Sequence, residues 1–197
     1  MRGSRPLSEA EVEAVLGALD GPRDRALFVL GLCSGFRITE LLSLTLGDVA
    51  PLGHISDQVS VRRKNMKKKR AGRTVVLHQW AKEVIGIWID CLRALGHIDP
   101  KTFLFLSRQG QNQAIGRTMA WNVLTSAYRK VGLSGKLGCH ALRKTYCGNV
   151  HEALGHDLIK TQAAMDHADL NSTVCYLSFK REDIDRAILG LYKSKRK

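Results

Sequence analysis

One stretch of this chain, His54 to Leu77, departs from helical patterning, and that leaves material for no more than a small sheet. Ile55, Val59 and Val61 precede a basic connection and Val75 and Leu77 follow it, as expected of two short strands. Most of the remainder carries helix signals. Ser8 can cap a first helix that Glu11 completes as a capping box, with Leu7 and Val12 at staple positions. Arg23 to Cys33 reads as a second helix and Arg37 to Leu46 as a third, with Gly35 between them, where a break in helical geometry is cheap. Val84, Ile85, Trp88, Ile89, Leu92 and Leu95 recur at helical spacing across His78 to Leu95 and belong to the core; Gly96 is the stop. Further helices are expected over Arg117 to Val131, from His140 to about Ala153, and near 157–166 and 172–178. Phe103 to Leu106 reads as a short buried segment of either type.

At 197 residues the chain fits one large domain with a substantial core. Its 31 Lys and Arg against 18 Asp and Glu give a formal charge of +13, a field that favours a polyanion. No stretch supplies the roughly 18 apolar residues of a membrane helix, and the N-terminus lacks the apolar core of a secretory signal. The charge thus suits either nucleic acid or an anionic membrane surface, membrane insertion is discarded, and the cytoplasm is the expected location. The five cysteines, Cys33, Cys91, Cys139, Cys147 and Cys175, form no C-x-x-C and read as reduced thiols. A zinc site from Cys139, His140, Cys147 and His151 would have no usual ligand spacing, so neither metal nor cofactor is expected.

Six residues, in the order Arg37, Lys67, His140, Arg143, His167 and Tyr176, compose chemistry for a phosphodiester. Two arginines offer forks of donors matched to the non-bridging oxygens of one phosphate. Two histidines and a lysine can move or share protons near neutral pH. A tyrosine hydroxyl can attack phosphorus and keep the product covalently. Bland readings exist for each. Arg37 could pair structurally with Glu40 or Asp48, and His140 could be a core or capping residue.

The wording around these residues decides between the readings. Ser34-Gly35-Phe36-Arg37-Ile38-Thr39-Glu40-Leu41-Leu42, then His140-Ala141-Leu142-Arg143, then His167 nine residues ahead of Tyr176, resemble the tyrosine recombinases, the phage-integrase family, from about Pro6 onward. The resemblance implies a mainly α fold with a small antiparallel β-sheet (α+β). It implies a catalytic domain over 1–197 without the separate N-terminal core-binding domain that most members carry. That length suits either an excised catalytic domain or a short member of the family.

The resemblance also implies roles. Arg37 and Arg143 would clamp the scissile phosphate, with Glu40 orienting Arg37. His140 would assist proton removal from the nucleophile Tyr176, and His167 would donate to the phosphate. A lysine of the basic connection would protonate the departing 5′ oxygen; Lys67 fits the family's wording best, with Lys64 second. Eight of the twelve residues from Arg62 to Arg73 are basic, and Arg62, Arg63, Lys64, Lys68, Lys69, Arg70 and Arg73 are expected to bind DNA. Asp166 stands where the family commonly has glycine, which puts the local backbone in question. Leu154-Gly155-His156 spells the usual phrase better, but it leaves too little chain after Arg143 for the intervening helices. His151, Tyr128, Tyr146 and Tyr192 read as ordinary structural residues.

The expected activity is DNA recombination through a 3′-phosphotyrosyl intermediate, without metal or ATP. The partner would be double-stranded DNA and no membrane, with the protein a homotetramer on paired sites and a monomer without DNA. A stripe at Ile184, Ile188 and Leu191 would link protomers or pack on its own core. The rival readings are DNA relaxation of the type IB topoisomerase kind and a non-catalytic DNA-binding module.

Overall fold

The computed structural model describes residues 4–62, 72–167, 169–177, 185, 188 and 189. In chain order these form α1 (Glu9–Ala18), α2 (Pro22–Ser34), α3 (Ile38–Leu41), α4 (Leu46–Val49), β1 (Gln58–Val61), β2 (Arg73–Val76), α5 (Gln79–Ala94), α6 (Arg117–Lys130), α7 (Cys139–Ala153), α8 (Leu158–Met165) and α9 (Leu170–Val174). The fold is mainly helical with one small antiparallel sheet.

Helix α2 is the centre of the core. Ala26 through Leu32 are nearly all buried, so the helix is apolar on every side and must be surrounded. It packs against α5 and α7. Helix α5 is instead amphipathic, burying Ala81, Ile85, Ile89 and Leu92 along one stripe. Each large side chain buried this way contributes about 1.5–3 kcal/mol relative to exposure. The Leu7 amide donates to Thr145 Oγ1 at 2.9 Å, which fastens the segment before α1 to α7. Ser8 and Glu11 form the expected capping box.

Strands β1 and β2 pair antiparallel, with Val59 opposite Val75 and Val61 opposite Arg73. Their burial alternates, so Val59, Val61, Arg73 and Val75 share the inward face. On the outer face the hydroxyls of Ser60 and Thr74 meet at 2.7 Å.

Two local features depart from the sequence reading. The third helix does not run from Arg37 to Leu46; it stops at Leu41 and a separate turn begins at Leu46. Tertiary pairing causes the break, because Thr45 bridges to Phe103 and the Leu46 amide donates to Thr102 O at 2.8 Å. The buried segment Phe103 to Leu106 is thereby drawn into isolated bridges rather than a strand or helix. The last helical piece occupies 170–174 rather than 172–178, started by Asp169, whose carboxylate accepts from the Ser172 amide at 2.9 Å.

Gly35 ends α2 in the left-handed region at φ 59°, and a Cβ there would lie 2.2 Å from Tyr146 Cδ1. Both the backbone and the space demand glycine. Gly35→Ala should therefore destabilise the protein by more than the ~1–2 kcal/mol of left-handed strain alone, as read by denaturant unfolding. Gly17→Ala, in open space on α1, should be neutral or stabilising by up to about 1 kcal/mol.

Candidate active site

Three segments converge around the end of α2. Arg37 lies just after that end, and its placement is set by Glu40. One Glu40 oxygen accepts from the Arg37 amide at 2.7 Å and the other from its guanidinium at 2.8 Å. Glu40 is buried, whereas the Arg37 side chain is 37% exposed, so the carboxylate aims the guanidinium and leaves donors facing outward. Asp48, the other conceivable partner of Arg37, pairs with Arg62 at 3.0 Å.

Helix α7 supplies His140, Arg143 and Lys144. Arg143 is 1% exposed and donates to Gly35 O, to Met165 O at 3.1 Å and to His167 Nε2 at 2.9 Å. Its Nε is buried with no hydrogen-bond partner among the described residues. Burial first, and then the charge of Arg37, hold the Arg143 pKa below its ordinary value.

His167 follows a helix end of particular shape. Asp166 caps α8 in the left-handed region at φ 50°, a conformation that aspartate tolerates better than most residues. This answers the question raised by its replacement of glycine. The His167 amide then returns to Gln162 O at 3.2 Å, turning the ring inward. Because a guanidinium only donates, His167 Nε2 accepts from Arg143 and Nδ1 carries the proton toward Thr173 Oγ1 at 2.9 Å.

Tyr176 closes the arrangement just after α9. Its hydroxyl lies 2.7 Å from His140 Nε2. Its ring centroid is 5.1 Å from that of His167, 5.7 Å from the Arg143 guanidinium carbon and 5.8 Å from Lys144 Nζ. His140 keeps a solvent-facing edge. Even so, the protein packed around its ring, and then the charges of Arg143, Arg37 and Lys144, hold its pKa below the ordinary 6.5. A neutral His140 at pH 7 can accept the tyrosine proton. Arg37, Arg143 and Lys144 thus gather near His140, while the buried Glu40 carboxylate pairs with Arg37, and this excess of cations suits an anion.

Five of the six candidate residues, Arg37, His140, Arg143, His167 and Tyr176, therefore meet at one place. Lys67 and its alternative Lys64 lie outside the described residues, as do Arg63, Lys68, Lys69 and Arg70 of the expected DNA-binding run. Ile184 and Leu191 of the tail stripe also lie outside them, and Ile188 is 57% exposed. Arg62 is exposed and paired with Asp48.

Arg73 requires correction. It was expected to reach DNA, but it is 5% exposed on the inward face of β2 and donates to Ser34 O at 3.0 Å, Gly35 O at 3.3 Å and Ala164 O at 3.0 Å. Burial foremost, then the charge of Arg143, bring its pKa down to about 10. Two further neighbours of the site escaped the sequence reading. Lys144 has no periodic signature beyond following Arg143, and Thr173 is an unremarkable threonine three residues before Tyr176.

The remaining alternatives fall elsewhere. His156 adopts φ 64° and stacks edge-on against His151, with ring centroids 5.2 Å apart, while His151 Nδ1 meets Thr161 Oγ1 at 2.9 Å. Tyr128 is buried, and burial pushes its pKa up. Among the described residues no group of three or more His, Cys, Asp or Glu is placed to hold a metal ion.

Comparison with known proteins gives this geometry its relatives. The sequence profile of the phage integrase family matches residues 5–182. Tyrosine recombinase XerD of Pseudomonas putida is 30% identical over 182 residues, covering 87% of this chain and 56% of that protein. Tyrosine recombinase XerC of Chlamydia caviae is 29% identical over 179 residues, covering 87% and 53%. The chain thus spans about half the length of the curated relatives it matches. Among solved structures, XerA recombinase superposes with a TM-score of 0.76 at 21% identity, covering 100% of this chain and 67% of that one. The Tn1549 transposon integrase, solved in complex with transposon right end DNA, gives 0.70 at 19% identity, covering 96% and 66%. These two likenesses speak for the fold, and the family match together with the XerD identity speaks for descent: the chain belongs to the phage integrase family.

Proposed function

We propose that this chain is the catalytic region, over 1–197, of a site-specific recombinase that cuts and rejoins double-stranded DNA. The observation that carries the reading is the Tyr176 hydroxyl at 2.7 Å from His140 Nε2, beside Arg143 and His167. Tyr176 Oη attacks the scissile phosphorus while His140 Nε2 takes its proton. Arg37 and Arg143 turn donors to the non-bridging oxygens, where negative charge builds in the pentavalent transition state. The bond to the 5′ oxygen breaks, and that oxygen takes a proton from Lys67. The products are a 3′-phosphotyrosyl bond and a free 5′ hydroxyl. A 5′ hydroxyl from a partner strand then attacks the same phosphorus and returns the proton to Tyr176. The energy of the diester is kept in the adduct, so ATP is not needed, and side-chain cations do the neutralising that a metal would otherwise do.

Strand exchange of this kind needs paired sites, which fits a homotetramer assembled on DNA from protomers that are monomeric without it. No helix among the described residues is long and apolar enough to cross a membrane. The cytoplasm, in association with the nucleoid when bound, is the proposed location. Relaxation of a single duplex without site preference would favour the topoisomerase-like reading, and the Xer resemblance disfavours it.

A randomised pool of nicked duplexes, incubated with the protein, should yield a covalent protein–DNA band whose recovered DNA defines the site. Tyr176→Phe should abolish that band with DNA binding nearly intact, and the band should persist in excess EDTA. An adduct from Tyr176→Phe, or strict Mg²⁺ dependence, would overturn the reading.

If His140 is the base, it must be neutral at working pH. Followed by imidazole NMR in the protein alone, it should titrate with a midpoint below 6.5, and Arg37→Ala should move that midpoint upward by removing a nearby positive charge. A midpoint above 6.5 would leave His140 protonated too early to act as a base.

The lysine can be located by altering the leaving group. General-acid help is worth roughly a hundred- to ten-thousand-fold, and a sulfur at the 5′ bridging position hardly needs it. Lys67→Ala should be slow on ordinary DNA and recover on the sulfur substrate, whereas Arg37→Ala and Arg143→Ala should not recover. Rescue of Lys64→Ala instead would pass the role to Lys64.

A further inference from the structure

We propose that Arg73 is a positioning residue for the reacting site, a buried latch that holds the turn bearing Arg37 and the helix end bearing His167 in register with Arg143. The inference rests on the recombinase reading given above. Arg73 touches no reacting atom in that reading; it acts through its neighbours.

The geometry is specific. One terminal nitrogen of Arg73 bridges Ser34 O and Ala164 O, each at 3.0 Å, and the other reaches Gly35 O at 3.3 Å. Ser34 and Gly35 end α2, and Ala164 lies in the last turn of α8. Two helix C-termini, each carrying partial negative charge on unpaired carbonyls, are thus pinned by one guanidinium. Arg37 begins two residues after Gly35, and His167 three after Ala164. The guanidinium also lies 5.2 Å from the ring centroid of Phe36, the residue joining Gly35 to Arg37.

An arginine is a costly choice for this position. Its neighbours on the inward face of the ribbon are Val59, Val61 and Val75, and an apolar side chain would pack there without desolvating a charge. What an apolar residue lacks is a planar fork able to span two elements, and lysine lacks it too. Arg143 uses the same Gly35 carbonyl. Loss of Arg73 would therefore release one of the groups that fix Arg143, as well as the turn that aims Arg37.

The test uses the full chain and the duplex recovered from the nicked pool, made with either an ordinary phosphate or a methylphosphonate at the scissile position. The methyl group replaces one non-bridging oxygen and removes the charge that Arg37 and Arg143 must neutralise. Arg73→Lys and Arg73→Met should bind DNA as the parent protein does. On the ordinary phosphate they should form adduct up to about a hundredfold more slowly, the scale expected for ångström misplacement of catalytic groups. On the methylphosphonate their deficit should largely disappear. A purely structural role would slow both substrates equally. Equal slowing, no slowing on the phosphate, or failure of both variants to fold by circular dichroism would overturn the assignment. Absence of an adduct from the parent protein on the ordinary phosphate would instead overturn the recombinase reading, and this inference with it.

Discussion

The carbonyl of Gly35 accepts from two buried guanidiniums, those of Arg143 and Arg73, and the candidate site is arranged around that shared acceptor. The carbonyl is available because α2 terminates there in a left-handed residue, so the chain turns before Phe36 can extend the helix. Met165 O and Ala164 O, at the end of α8, serve as matching acceptors on the far side. Two helix ends that would otherwise need separate caps are thus tied to each other through side chains from α7 and β2. The Arg37 turn and the His167 corner inherit their positions from this tie.

The main-chain acceptors that hold Arg73 and Arg143 are carbonyl dipoles rather than carboxylates. Helix-end carbonyls compensate Arg143 and Arg73, while Glu40 is spent on Arg37. Dipoles offset part of the cost of burying a cation but leave the local charge positive. The depressed pKa values of Arg73, Arg143 and His140 all reflect burial together with this mutual repulsion. On the proposed reading, an incoming phosphate would relieve that repulsion.

Much of this was legible in the sequence because it depends on local rules. The capping box at Ser8 and Glu11, the stripe of α5 and the ribbon flanking the basic run all follow from spacing over a few residues. The meeting of Arg37, His140, Arg143, His167 and Tyr176 was legible only through the resemblance, since no periodicity brings residues so far apart together. The break after Leu41 was not legible, because it is imposed by the pairing of Thr45 and Leu46 with residues near 103. Arg73 is the instructive case. It is in period-two phase with Val75 and Leu77, which marks it as inward-facing, yet seven other basic residues in the same run argued for a surface that binds DNA. Phase along a strand outweighed composition.

The contact between Tyr176 and His140 is made within a single polypeptide. Tyr176 also lies beside Arg143 of the same chain. Under the proposed recombinase reading, a site completed within one chain makes genetic complementation follow a simple rule. A mixture of protomers lacking Arg143 with protomers lacking Tyr176 contains no intact centre in any combination, whereas a nucleophile shared between neighbours would restore one. On that reading, each wounded protomer of a mixed assembly would stay silent, and its intact neighbours would cut only the strands they themselves hold.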